Sequence, residues 1–465
     1  MSGTDKRVLI FGIHRTVPWW QYLGRNMGWG ESTVVTDLRG EGDVSIVDDF
    51  YTELKILRRD PSPTSPLLSS AEIADVIGRC RTLRWLDRKL AVAMTLAMAA
   101  VLDRVLGQVR PRVVLSFPID RYVKDVLERL AHKRGVPYLE LTASVVPGMS
   151  MLLRRGSLVR LAQEPPAELT RLKVQEIGNA SFVPSYVPRA SKYTRAKFLR
   201  THGYLRARGL ALRAISIVQR DPLNLHYLDA QPFLGHKCGW KDIRVLALCD
   251  ARWRDKLAGF APDKRVLFGL QLFPEASIDY WIRNFELIQH ESLVVEAATA
   301  FSKAGYLVLV KDHPLQFGFR QASLLERLRA LPNVVIVPYD VPGNELLSLV
   351  GTNFTCTGTL GLQAALAGLK SVVTESYYSN DEDFIVFRSR AEVDSLPARV
   401  VQTRQCDVTL AERQRRLISN LLRGSFDGDF FSFKRFDERA PAASALSLAK
   451  ALGRRLDDLI EQGEL

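Results

Sequence analysis

The 465-residue chain carries 64 Lys and Arg against 51 Asp and Glu, a formal net charge of +13 at pH 7. With 47% hydrophobic and 25% charged residues it can bury a large core, which excludes global disorder. At roughly 150 residues per domain it divides into two or three domains or forms one large bilobed enzyme, and its positive surplus points to an anionic partner such as a nucleotide, a phospholipid surface or a nucleic acid.

Residues 8–13, 34–36, 44–47, 113–117 and 138–141 are short apolar runs rich in β-branched side chains and read as strands. Between them, 70–106 and 121–134 read as helical, with Ser69 and Glu72 spaced as a capping box at the first. Residues 90–102 are Ala-rich and apolar, but a bilayer span takes about 20 residues, so a buried helix is expected. The run at 8–13 is too short for the apolar stretch of a signal peptide. Cys80, Cys238, Cys249, Cys356 and Cys406 are scattered without a CxxC pair. That excludes a disulfide framework and the common zinc spacings, and fits a reducing compartment. A cytoplasmic protein is expected. Pro61, Pro63 and Pro66 mark a loop inside the first domain.

Periodicity lapses over 164–188, where Pro165, Pro166, Pro184 and Pro188 fall. Residues 192–220 then read as helix, carrying Lys192, Arg195, Lys197, Arg200, Arg206, Arg208, Arg213 and Arg220 with no acidic residue. Gly203 and Gly209 argue against one unbroken helix. Leucines, isoleucines and aromatics interleave with the cations. That composition suits a solvated helix face, or a segment lying on an anionic bilayer at the inner membrane.

Strand–helix alternation then resumes. A helix at 241–257 leads to a strand at 266–272, a helix at 286–302, a strand at 306–310 and a helix at 320–330. Strands at 334–337 and 354–356, a helix at 360–367, a strand at 371–374 and a final helix at 442–461 follow. Gly305 and Gly368 sit where helix C-termini favour a left-handed residue. The pattern predicts an α/β fold of two Rossmann-like domains facing across a cleft, with a C-terminal helix. The expected divisions are 1–190, a basic helical linker region at 191–260, 261–440, and the helix at 441–465.

Open parallel sheets bind ligands beyond the carboxyl ends of their strands. In the second half those positions hold Gln271, Glu275 and Ser277, then Lys311, His313, Gly318 and Arg320. Tyr339 and Asp340 come next, then Thr357, Gly358, Thr359 and Gly361, and finally Glu375 and Ser376. Residues 357–361 open a helix, so free amides and two hydroxyls form an anion cradle; an ordinary Thr-capped turn has the same composition. The Gly-Lys-Ser/Thr ending of a P-loop is missing, which speaks against ATP hydrolysis. Lys311 and His313 flank Asp312 and are spaced to neutralise a phosphate leaving group, or to form a salt-bridged surface turn. Glu275 follows Pro274 in a loop, where a solvated carboxylate is the ordinary outcome. At these turns neither a DxD pair nor a His/Asp cluster appears, so no metal and no cofactor is expected. No nucleic-acid-binding module is recognisable, so nucleic acid is not expected as a partner.

Three segments in this order carry a resemblance: Phe268-Gly269-Leu270-Gln271-Leu272-Phe273-Pro274-Glu275-Ala276-Ser277; Val310-Lys311-Asp312-His313-Pro314 with Gly318 and Arg320; and Thr357-Gly358-Thr359-Leu360-Gly361. Together, over about residues 266–378, the chain resembles the capsule polysaccharide biosynthesis family, which includes the bacterial retaining β-Kdo transferases. The resemblance implies a GT-B fold, with an acceptor-side first domain and a nucleotide-sugar (donor) second domain. It implies transfer of Kdo, or a related acidic sugar, from a CMP-activated donor to a bacterial surface glycan or lipid-linked acceptor, as in capsule or lipopolysaccharide assembly. It places Glu275 at the catalytic carboxylate, Lys311 and His313 on the donor phosphate motif, and Thr357 and Thr359 on the pair holding the CMP phosphate. Gln271, Ser277, Arg320, Gly358, Gly361 and Gln363 complete the implied donor site. The family often has Asp where this chain has Glu275, Glu where it has Gln363, and Pro where it has Lys370. A UDP- or GDP-sugar transferase with a structural Glu275, and a non-catalytic assembly protein of the same fold, are the alternatives. Asp120 is the next candidate carboxylate.

Overall fold

The computed structural model describes residues 6–59, 66–179, 182–184, 192–223, 238–273, 275–403 and 409–465. Pro61, Pro63, Pro188, Pro274 and Cys406 lie outside the described residues. The strands are β1 (Val8–Gly12), β2 (Ser32–Thr36), β3 (Val44–Ser45), β4 (Val113–Ser116), β5 (Tyr138–Ala143), β6 (Met149–Arg154) and β7 (Ser157–Leu158). They continue as β8 (Arg265–Gly269), β9 (Leu307–Lys311), β10 (Val334–Val337), β11 (Thr352–Phe354), β12 (Lys370–Val373), β13 (Ile385–Val386) and β14 (Ser425–Asp427). Two units result. The first comprises Met1–Glu164, Leu210–Gly235 and Leu422–Leu465; the second comprises Pro165–Gly209 and His236–Leu421.

The sheet of the first unit runs β3-β2-β1-β4-β5-β6-β14. It is parallel from β3 to β5, after which β6 turns back on β5 and β14 runs antiparallel to β6. β1 and β4 are wholly buried, as strands covered on both faces must be. The expected helix at 70–106 is two helices. Ser70–Arg79 opens with the Ser69–Glu72 capping box, and Arg88–Val109 starts afresh where the Asp87 carboxylate accepts the Lys89 and Leu90 amides. Among the described residues, Arg88–Val109 is the one helix long and apolar enough to cross a membrane, yet 67% of its most apolar stretch is buried inside the protein. A core helix has this signature. Helix Ala443–Glu461, set apart in the sequence division, packs Leu448, Leu452 and Leu456 into the same core as Trp20 and Leu23. Its apolar stripe needs that partner, so the chain end belongs to the first unit.

The sheet of the second unit runs β10-β9-β8-β11-β12-β13, every neighbouring pair parallel. This is the Rossmann order, in which the direction of winding reverses between β8 and β11 and opens a crevice at their carboxyl ends. Alternate residues fill the two faces. Val266, Phe268, Val308 and Val310 pack with Leu293 and Phe301, while Leu267, Leu307 and Leu309 pack with Leu346 and Leu347. Gly305 and Gly368 adopt the expected left-handed conformation, with φ of 78° and 84°.

Two expectations are corrected here. The helix at 241–257 is a set of short turns, Trp240–Arg244, Val245–Leu248 and Trp253–Gly259, interrupted where the Asp250 amide bonds the Ile336 carbonyl at the end of β10. The basic segment is one continuous 24-residue helix, Arg195–Val218. An interior glycine costs about 1 kcal/mol relative to alanine, and this length tolerates both Gly203 and Gly209.

Candidate functional site

The turns beyond β8 and β11 meet at the winding reversal, and Gln271 joins them. Its amide oxygen accepts the Thr357 backbone N–H at 2.8 Å, and its amide nitrogen donates to Thr357 Oγ1 at 2.8 Å. A backbone N–H can only donate, so the orientation of the Gln271 amide is fixed. The Thr357 hydroxyl accepts in this pair, which leaves its proton for a ligand. Gly358 caps helix Thr359–Leu366, whose first amides and positive dipole end lie at the crevice. Tyr378 donates to the Gly358 carbonyl at 2.7 Å. A Cβ on Gly361 would stand 2.6 Å from the Tyr378 hydroxyl and 2.8 Å from Val373, so this close approach requires glycine.

Glu275 stands in extended backbone just before the short helix Ala276–Asp279, with its carbonyl accepting the Ile278 and Asp279 amides. Its half-buried carboxylate accepts the Ser277 hydroxyl at 3.0 Å, and the Gln271 amide nitrogen lies 3.5 Å from the same hydroxyl. Glu275, Ser277, Gln271 and Thr357 therefore form one hydrogen-bonded row across the ends of β8 and β11.

Lys311 and His313 diverge. The Lys311 ammonium, nearly buried, donates to the Pro338 and Tyr339 carbonyls at 3.2 and 2.8 Å, so two of its three donors secure the turn after β10. Burial pushes its pKa down to about 8 against the pull of Asp312. That geometry makes Lys311 a clamp on the strand ends. His313 Nδ1 accepts the Leu315 amide at 3.2 Å and caps the turn Pro314–Gln316, which places the proton of the neutral ring on Nε2 as a donor. Burial, partly offset by Asp312, holds its pKa below the ordinary histidine value. Gln316, in the same turn, donates to the Phe273 carbonyl at 2.6 Å and ties the His313 turn to the Gln271–Glu275 turn.

Arg320 is 2% exposed. It donates to Asp312 at 2.9 Å and to the Gln271 carbonyl at 3.0 Å, and Asp312 also accepts from the Tyr339 hydroxyl and the His313 amide. Burial disfavours the Arg320 charge, but the Asp312 carboxylate outweighs it and raises the pKa. This residue holds Gln271 by its backbone carbonyl. Gln363 donates to the Phe182 carbonyl at 2.7 Å. Gln316 and Tyr378, which sequence reasoning passed over, hold the site together with Asp312, which was read only as the residue between Lys311 and His313.

At the strand ends of the first unit, the Asp120 carboxylate is held by Lys124 at 2.7 Å and Arg121 at 3.2 Å. Arg121 also pairs with buried Asp37 at 3.0 Å. Burial lowers the pKa of Lys124, with Asp120 opposing. Asp120 thus sits in an ion-paired network that fixes the turn after β4. Among the described residues, no group of three His, Cys, Asp or Glu gathers as metal ligands would.

No family model matches the chain, and no curated protein matches its sequence. Similar solved structures include the β-Kdo 2,4 transferase of Thermosulfurimonas dismutans KpsC, at 13% identity over 70% of this chain and 83% of that one, with a TM-score of 0.33. The β-Kdo 2,7 transferase of the same protein is 11% identical over 78% and 89%, with a TM-score of 0.32. The UDP-GlcNAc 2-epimerase of Methanocaldococcus jannaschii, in complex with UDP-GlcNAc and UDP, is 11% identical over 90% and 99%, with a TM-score of 0.26.

Proposed function

We propose that the chain is a glycosyltransferase that moves Kdo, or a related acidic sugar, from a CMP-activated donor to a surface glycan or lipid-linked acceptor, with retention of configuration. The observation that carries the reading is the Gln271–Thr357 clamp, which presents a helix N-terminus at the winding reversal with Glu275 on the same hydrogen-bonded row. The residues in that row are those of the family resemblance. The Thr357 hydroxyl, the first amides of helix Thr359–Leu366 and His313 Nε2–H are donors suited to the phosphate of CMP.

A carboxylate oxygen of Glu275 attacks the anomeric carbon as the bond to the phosphate oxygen breaks, and the electron pair leaves on CMP. The acceptor hydroxyl then displaces Glu275 from the opposite side, its proton passing to the CMP phosphate or to water. Two inversions give net retention. Charge on the departing phosphate is met by fixed donors, so the reading requires no metal.

Hydrolysis of CMP-, UDP- and GDP-sugars by the purified protein tests the assignment. Release of CMP alone supports it. Release of UDP or GDP reassigns the donor, and no release from any donor returns the chain to a non-catalytic role.

A further inference from the structure

Helix Arg195–Val218 has an inner face and an outer one. Phe198, His202 and Ser216 are buried, and His202 Nδ1 lies 3.1 Å from the Gly318 carbonyl, which anchors the inner face. At 100° per residue, Leu199, Leu210 and Ile217 fall within about 20° of one another on the outer side. Leu210 is 67% exposed, Ile217 75% and Val218 82%. A second exposed row holds Tyr204 and Ile215. Arg200, also exposed, stands between these rows, and exposed Arg208 lies just beyond the second.

We propose that this outer face docks on an anionic phospholipid surface. The helix is about 36 Å long, and the segment 192–220 contains no acidic residue. Nucleic-acid phosphates would reward the arginines but not the exposed aliphatic rows. A bilayer interface rewards both, because aliphatic side chains enter the acyl boundary while arginine stems lie along it with their guanidinium groups at the phosphates. Arg206 is excluded from the docking set, since its guanidinium already donates to the Cys238 carbonyl at 2.9 Å. The proposal is independent of the transferase reading.

Vesicle flotation of the full chain tests it, using phosphatidylcholine alone and equimolar phosphatidylcholine and phosphatidylglycerol. The protein is expected to float with the anionic vesicles only, and to be released at about 1 M salt, where the screening length is about 3 Å. Reversing exposed Arg200 and Arg208 to Glu is expected to lower partitioning by at least about 25-fold, roughly fivefold per charge. Replacing Leu210, Ile217 and Val218 by Ser tests the apolar rows separately and is expected to lower it as well. Equal flotation with neutral vesicles, undiminished binding of the arginine variant, or a wild-type protein that floats with neither vesicle would overturn the proposal; the last result would assign the face to a protein or nucleic-acid partner.

Discussion

Gln271 and Thr357 exchange two hydrogen bonds of opposite sense, each 2.8 Å long, across the ends of β8 and β11. The pair closes the point where the winding of the second sheet reverses and fixes the first turn of helix Thr359–Leu366. Gln271→Leu leaves the buried Thr357 amide without its acceptor, which costs about 1–3 kcal/mol. Thermal unfolding should show that loss. Calorimetry should show CMP binding weakened by at least about tenfold, because the cradle is no longer held in place before the ligand arrives. Unchanged stability and affinity would remove the clamp from the account.

Glu275→Gln keeps the side-chain volume and an acceptor for the Ser277 hydroxyl, but removes the charge and the nucleophile. CMP affinity is expected to stay within a few-fold of wild type while transfer falls by orders of magnitude. Near-normal turnover would require another nucleophile. Asp120, already bound by Lys124 and Arg121, would first have to be released from them.

His313 donates through Nε2 because Nδ1 is occupied by the Leu315 amide. One hydrogen bond to a charged phosphate is worth about 1.5–3 kcal/mol, so His313→Ala should weaken donor binding by roughly 10- to 100-fold. The far-ultraviolet circular dichroism spectrum should be unchanged. A variant that binds CMP as wild type does would take His313 out of the phosphate site.

Much of the second unit was legible in the sequence. Buried parallel strands such as β8 and β9 are continuous apolar runs, and Gln271, Glu275, Ser277 and Thr357 follow strand ends directly. The antiparallel additions were not legible. β6 begins with Met149 and ends with Arg154, and β14 is three residues long and pairs with a segment far away in the chain. Nor does position reveal where a long side chain goes. Lys311 ends β9 and Arg320 follows in the connection after it, yet their side chains are taken up by backbone carbonyls and Asp312.

Lys311 also makes a pH prediction. Its folded pKa, about 8, lies below the ordinary 10.5, so between those values the unfolded chain binds more protons than the folded one. Stability relative to Lys311→Met should therefore rise with pH across that window, by up to roughly 3 kcal/mol. The neutral amine still has two N–H groups for the Pro338 and Tyr339 carbonyls. Urea unfolding of both proteins across the window measures the difference, and a flat difference would contradict the burial of this ammonium.

If the donor phosphate rests on the turn at 357–361, a crystal structure of the CMP complex will show it. Phosphate oxygens are expected within hydrogen-bond distance of the Thr357 hydroxyl, the first amides of helix Thr359–Leu366 and His313 Nε2. The Glu275 carboxylate should face the space that the sugar would occupy, on the side of the anomeric carbon opposite the phosphate. CMP bound elsewhere on the chain, or a crevice that takes UDP and refuses CMP, would contradict it.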